Sequence, residues 1–111
     1  MAVDITQMRK GLLEFCVLAQ LEGEPRYGYE LVQRLGEVDG MLTSEGTIYP
    51  LLARLHREGL VAVERRPTTS AGPPRKYYRL SAPGHRALTS FRREWATLRT
   101  AIDRTLQGGA R

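Results

Sequence analysis

The chain has 111 residues, 17 of them Lys or Arg against 12 Asp or Glu, for a formal net charge of +5. That length holds one compact domain with one protruding element and leaves no room for a second core. The basic balance suits a polyanionic partner, the single cysteine excludes an intrachain disulfide, and neither a membrane span nor a signal peptide is expected from the apolar pattern.

From Asp4 to Leu21 the apolar positions Ile5, Met8, Leu12, Phe15, Cys16 and Ala19 recur at helical spacing, and from Leu12 onward Leu13, Val17, Leu18 and Leu21 make nearly every side apolar. The pattern predicts one helix buried on more than one side, part of it against another subunit. Arg9 and Lys10 lie on its polar side and read as a solvated face. Cys16 reads as a small core residue in a reducing cytoplasm. Glu22 to Arg26 contains Gly23 and Pro25 among polar residues and reads as a turn. A second helix is expected over Tyr27–Leu35, apolar at Tyr27, Leu31 and Leu35, with Gly36 as its stop. Gly28 leaves room for another helix to come close.

The stretch Thr43–Leu60 follows, in which Ile48, Leu51, Leu52 and Leu55 form one apolar face. The opposite stripe of Gly46, Pro50, Ala53 and Arg57 is small near its start and basic near its end, which suits close approach to a groove of DNA. Two starts are open. Ser44 caps a helix beginning at Glu45, and Thr47 caps one beginning at Ile48, where Pro50 falls in the first turn and its missing N–H costs nothing. The earlier start requires a kink or a distorted first turn at Pro50.

After Gly59 the period changes. Leu60–Arg66 is short and β-branched, and Arg75–Leu80 alternates basic and aromatic residues, which predicts two strands. Alternation puts Arg75, Tyr77 and Arg79 on one face and Lys76, Tyr78 and Leu80 on the other. The prolines, glycine and small polar residues of Pro67–Pro74 make the tip of a hairpin, exposed and basic at Arg65, Arg66, Arg75 and Lys76. Charge of this kind also keeps a bare edge ribbon soluble.

Ser81 is placed to cap a last helix with Pro83 in its first turn, and Gly108 and Gly109 to end it. Leu88, Phe91, Trp95, Leu98 and Ile102 alternate three- and four-residue steps, the narrow seam of a coiled coil. From Ala82 to Gln107 such a helix extends about 39 Å at helical rise, beyond the small domain before it. The seam is expected to pair with its copy in a second subunit; the alternative is that it folds back over the first helix as core.

Three helices followed by a basic hairpin describe a winged helix-turn-helix: mainly α with a small β-hairpin, plus a long C-terminal dimerisation helix. The runs Tyr27-Gly28-Tyr29-Glu30-Leu31, Gly46-Thr47-Ile48-Tyr49-Pro50-Leu51-Leu52 through Arg54-Leu55 to Glu58-Gly59-Leu60, and Gly72-Pro73-Pro74-Arg75-Lys76-Tyr77-Tyr78-Arg79-Leu80 closely resemble the PadR family of bacterial transcriptional regulators. The single terminal helix resembles the compact subfamily. The resemblance implies a homodimeric repressor that binds an inverted-repeat operator and leaves it on a chemical signal. It implies a DNA-binding domain over 1–80, a dimerisation helix over 81–107 and a flexible tail at 108–111. DNA-facing positions by analogy are Ser44, Gly46, Thr47, Tyr49, Arg75 and Lys76, with Arg54 and Arg57 as phosphate contacts. Tyr49 is alternatively half-core. A two-fold pair is expected to engage half-sites about 34 Å apart.

Trp95 lies on the apolar seam, where dimer packing accounts for it. The sharper reading is a cavity in which Trp95 and its two-fold mate stack on a flat aromatic ligand, with Phe15, Arg92 and Arg99 beside it. Arg92 and Arg99, one turn either side, favour a neutral or anionic ligand, against the opposing charge of Glu94 and Asp103. Catalysis is not expected: His56 and His85 lie in different helices, and no metal-ligand spacing, phosphate-cradling glycine loop or cofactor motif is present. The competing function is a winged-helix module that binds protein and never touches nucleic acid; the basic wing beside the Gly46–Tyr49 helix start weighs against it.

Overall fold

A computed structural model describes residues 4–68 and 72–108. The elements are α1 (Ile5–Arg9), α2 (Leu13–Gln20), β1 (Arg26–Tyr27), α3 (Gly28–Gly36), α4 (Glu45–Arg57), β2 (Val61–Arg66), β3 (Arg75–Leu80) and α5 (Ala82–Leu106). Val17 and Leu18 of α2, Leu31 and Leu35 of α3, and Ile48, Leu52 and Leu55 of α4 close one core. Val61, Tyr78, Leu80 and Leu88 complete it from the sheet and α5. The apolar face expected for α4 is the face that docks.

The single helix expected from Asp4 to Leu21 is two helices. Gly11, at φ +88°, interrupts it. That backbone region is open to glycine and strained for other residues, so the chain turns there although the apolar pattern runs on. Only α2 enters the core; Ile5 and Met8 of α1 are more than half exposed.

The second helix begins one residue later than expected, because Arg26–Tyr27 forms a strand that pairs antiparallel with β3, Arg26 opposite Tyr78 and Tyr27 opposite Tyr77. The sheet therefore has three strands, in the order β1-β3-β2. Arg26, expected in a polar turn, is 8% exposed. Its guanidinium donates to the Gln20 carbonyl at 2.7 Å and meets Glu24 and Glu30, each at 3.2 Å. A charge this buried persists only when so partnered.

At α4 the earlier of the two starts is adopted: the helix begins at Glu45, with Pro50 inside it. Pro50 cannot donate to the Gly46 carbonyl, the acceptor four residues back. The lost bond falls in turns exposed at Gly46, Thr47 and Pro50.

α5 starts as expected. Ser81 Oγ accepts from the Gly84 N–H at 3.1 Å and donates to the Gly59 carbonyl at 2.7 Å. A β-carbon on Gly84 would collide with the Leu60 carbonyl, so the first turn of α5 lies directly on the backbone leading into β2. The seam expected to face a second subunit divides. Leu88 is 2% exposed within this chain's own core, a correction that follows from α5 lying across α2. Phe91 stacks on Phe15 of α2 at 4.1 Å between ring centroids, and Arg92 makes a two-pronged bridge to Glu22 with both bonds at 2.9 Å. Beyond these anchors α5 leaves the domain, with Leu98 and Ile102 open to solvent. Gly108, at φ +68°, follows its last turn; Gly109, Ala110 and Arg111 of the expected tail lie outside the described residues, as do Thr69, Ser70 and Ala71 of the hairpin tip. No described helix is long and apolar enough to cross a membrane.

Candidate nucleic-acid interface

The start of α4 is bare of side-chain capping. Ser44 has the extended backbone of a cap, but its hydroxyl donates to Thr47 Oγ1 at 3.3 Å rather than accepting from the helix. The first N–H groups thus remain available to an outside acceptor, at the positive end of the helix. Ser44, Gly46, Thr47 and Tyr49 are all exposed there, and nothing but Ser44 Oγ lies near the space a Gly46 side chain would fill. A large surface can approach that close.

Tyr49 is 43% exposed, and its ring packs on Gly28 with no room for a β-carbon between them. The half-core reading describes part of this residue: one edge of its ring is fixed by α3 while the rest stays accessible. Gly28 admits a side chain of α4, and this is the close approach that its small size permits.

The loop before α4 is tied down from outside the helix-turn-helix. Arg9, expected as a solvated cation, donates to the carbonyls of Gly40 and Leu42. Arg54 is also engaged. It bridges Glu14 of α2 and Glu58 one turn on, each at 3.2 Å, and these contacts raise its pKa further, the Glu58 hydrogen bond foremost. It holds α4 against α2, whereas Arg57 is exposed near the helix end.

In the wing, β2 and β3 pair with Arg65 opposite Lys76 and Arg66 opposite Arg75. Like charges directly across a ladder destabilise a sheet. Aromatic rings support two of them: Arg66 lies over Tyr77 and Arg75 over Tyr27, both 4.6 Å from the ring centroid, and Tyr27 meets Tyr77 edge-on at 5.5 Å. Arg66 also pairs with Glu64 at 2.7 Å. Such stacking holds a guanidinium flat while leaving its edge free for an anion. The alternation read from sequence holds, with Tyr78 and Leu80 turned into the core and Arg75 and Arg79 out.

Helix start and wing are contiguous. Tyr49, Arg75 and Lys76 line one cleft of about 450 Å³ together with the first turn of α3. Sequence reasoning did not single out Tyr27, Tyr29, Tyr77 or Tyr78 as site residues; the aromatic–basic alternation of Arg75–Leu80 was the signal for Tyr77 and Tyr78.

Of the residues expected around an effector, Phe15 joins Trp95 through Phe91 in a ladder of near-parallel rings, Phe91 and Trp95 being 6.1 Å apart and 8° from parallel. Arg92 is held by Glu22 instead of facing that ladder's end, and Arg99 is exposed. Among the described residues no three His, Cys, Asp or Glu side chains gather to hold a metal ion.

Comparison with known proteins places this geometry among relatives. The sequence model described as the transcriptional regulator PadR-like family matches residues 17–90. A crystal structure of a PadR-like transcriptional regulator from Bacillus cereus is 39% identical with a TM-score of 0.80, over 91% of this chain and 97% of that one. A PadR family regulator from Eggerthella lenta is 36% identical with a TM-score of 0.80, over 92% and 88% of the two chains. The transcriptional regulator Rv3488 of Mycobacterium tuberculosis is 40% identical over 67 residues, 60% of each chain.

Proposed function

Because this chain belongs to the PadR-like family of transcriptional regulators, we propose that it acts in the bacterial cytoplasm as a homodimeric repressor on an inverted-repeat operator. The observation that carries this reading is the shared cleft of Tyr49, Arg75 and Lys76, which joins the bare start of α4 to a wing whose like charges call for a polyanion. Residues 1–80 serve as the DNA-binding domain and 81–107 as the dimerisation helix. Ser44, Gly46, Thr47 and Tyr49 approach the major groove, while Arg57, Arg75 and Lys76 meet phosphates.

The outer half of α5 supports the dimer. Leu98, Ile102 and Leu106 are 50%, 43% and 80% exposed on a helix that has left its own domain, and a second copy buries them. Trp95 then stands where the ring ladder meets the two-fold axis, and a flat aromatic effector, neutral or anionic, stacks there to release the DNA. Titration of the protein against duplex from upstream of its own gene, with scrambled competitor at two salt concentrations, tests the repressor. A discrete, competitor-resistant complex that weakens steeply with salt is expected; smeared, easily competed binding to this and to genome-selected fragments contradicts it.

A further inference from the structure

The cleft beneath the wing is lined by donors and cations. Gly28 and Tyr29 enter it from the first turn of α3, Tyr49 from α4, and Arg75, Lys76 and Tyr78 from β3. Tyr78 is distinctive among them. It is only 7% exposed, yet among the described residues nothing accepts its phenolic proton. The hydroxyl is not sealed into the core, since among the described residues no fully occluded side-chain polar atom lacks a partner. It therefore looks into the cleft that its side chain lines. Burial and the neighbouring Tyr49 push the phenol above its ordinary pKa, with Arg65 pulling the other way, so Tyr78 is a proton donor at neutral pH. An acceptor oxygen seated in the cleft takes this hydrogen bond in place of water.

The start of α3 points the same way. Its cap residue, Tyr27, is extended and gives the helix no side-chain acceptor, so the N–H groups of the first turn are offered to whatever fills the cleft. No carboxylate lines it.

We propose that this cleft seats one phosphodiester of the DNA backbone in each half-site, its oxygens accepting from Tyr78, Tyr49 and the first turn of α3, with Arg75 and Lys76 balancing its charge. The proposal rests on the repressor reading above. A phosphodiester fits better than a free phosphate ion because the cleft is open and runs between α4 and the wing, two elements a duplex spans together. Tyr78 becomes a DNA contact that is also part of the core, which fixes the wing root and α3 to the same phosphate.

The test is a methylphosphonate scan of the operator with the wild-type chain and with Tyr78→Phe. Removing an unpartnered hydroxyl leaves thermal unfolding of the free protein unchanged. Operator affinity is expected to fall about a hundredfold, about tenfold for each of the two hydrogen bonds to a charged acceptor that the dimer loses. One methylphosphonate position per half-site should weaken the wild type more than it weakens Tyr78→Phe, which has already lost one of that phosphate's donors, with all other positions alike in both. Equal affinities, or superimposable methylphosphonate profiles, overturn the seat. Inorganic phosphate, added to the free protein, is the second arm. Binding that depends on Tyr78, together with a scan that shows no Tyr78-dependent position, assigns the cleft to the free ion and overturns the DNA seat. A wild-type chain that forms no competitor-resistant complex with any duplex fails at the repressor reading instead, before Tyr78 is tested.

Discussion

The Tyr49 ring lies on the backbone of Gly28, at a separation that leaves no space for a β-carbon. This contact ties the start of α4 to the start of α3, so the two elements that frame the cleft move together. Gly28→Ala must push the ring aside, but what it meets is the far end of a side chain that is 43% exposed. The expected result is a stability loss of under about 1 kcal/mol in thermal unfolding, below the usual range for overpacking, with a clear loss of operator affinity. Loss of both in proportion would mean that the contact serves the fold alone.

Gly84→Ala makes the contrasting case. Its β-carbon meets the Leu60 carbonyl, and backbone there cannot rotate out of the way. A destabilisation of about 1–3 kcal/mol is expected, with α5 shifted off the domain. Unfolding by denaturant at matched protein concentration measures it, and a cost as small as that of Gly28→Ala would contradict the assigned packing.

Much of this arrangement was legible in the sequence. The apolar face of α4, the alternation in β3 and the Ser81 cap are local patterns, and each appears where its period put it. What escaped was set by contacts distant in the chain or by single backbone angles. The break at Gly11 is invisible to a periodicity that continues through it. β1 has two residues, too few to show any period, and exists because β3 offers an edge. Leu88 and Ile102 share one heptad-like seam, but only the placement of α2 decides that one is core and the other exposed. The bridge from Arg54 to Glu14 could not be read from spacing, because 40 residues separate the two.

Arg9 provides a prediction of a different kind. Its bonds to the Gly40 and Leu42 carbonyls hold the loop that leads into α4, so on the proposed repressor function it acts on operator affinity through the placement of α4. Arg9→Ala is expected to weaken operator binding severalfold while leaving the salt dependence of log K unaltered, since no phosphate contact is lost. A reduced slope would instead make Arg9 a backbone contact.

The bridge from Arg92 to Glu22 should be visible in acid. The hydrogen bond from Arg92, aided by its charge and that of His85 and opposed by burial, holds the Glu22 carboxyl below its ordinary value of 4.5. A folded-state value depressed in this way stabilises the fold fully above the unfolded value and ceases to do so as pH falls through the folded one. Melting temperature of the wild type should therefore drop more steeply below the ordinary carboxylate range than that of Glu22→Gln, while the two change in parallel near neutrality. Parallel curves throughout would show that the bridge contributes nothing in solution.

The central claim is that two copies of this chain hold one operator through α4 and the wing. Its most direct test is the salt dependence of operator affinity for the wild type and for Arg75→Ala, with the mass of the complex determined by sedimentation. The account predicts two protomers per operator and a slope of log K against log salt that is shallower in the variant by about 2, one phosphate contact per protomer. A single protomer on the DNA, or a slope that Arg75→Ala leaves unchanged, would contradict it.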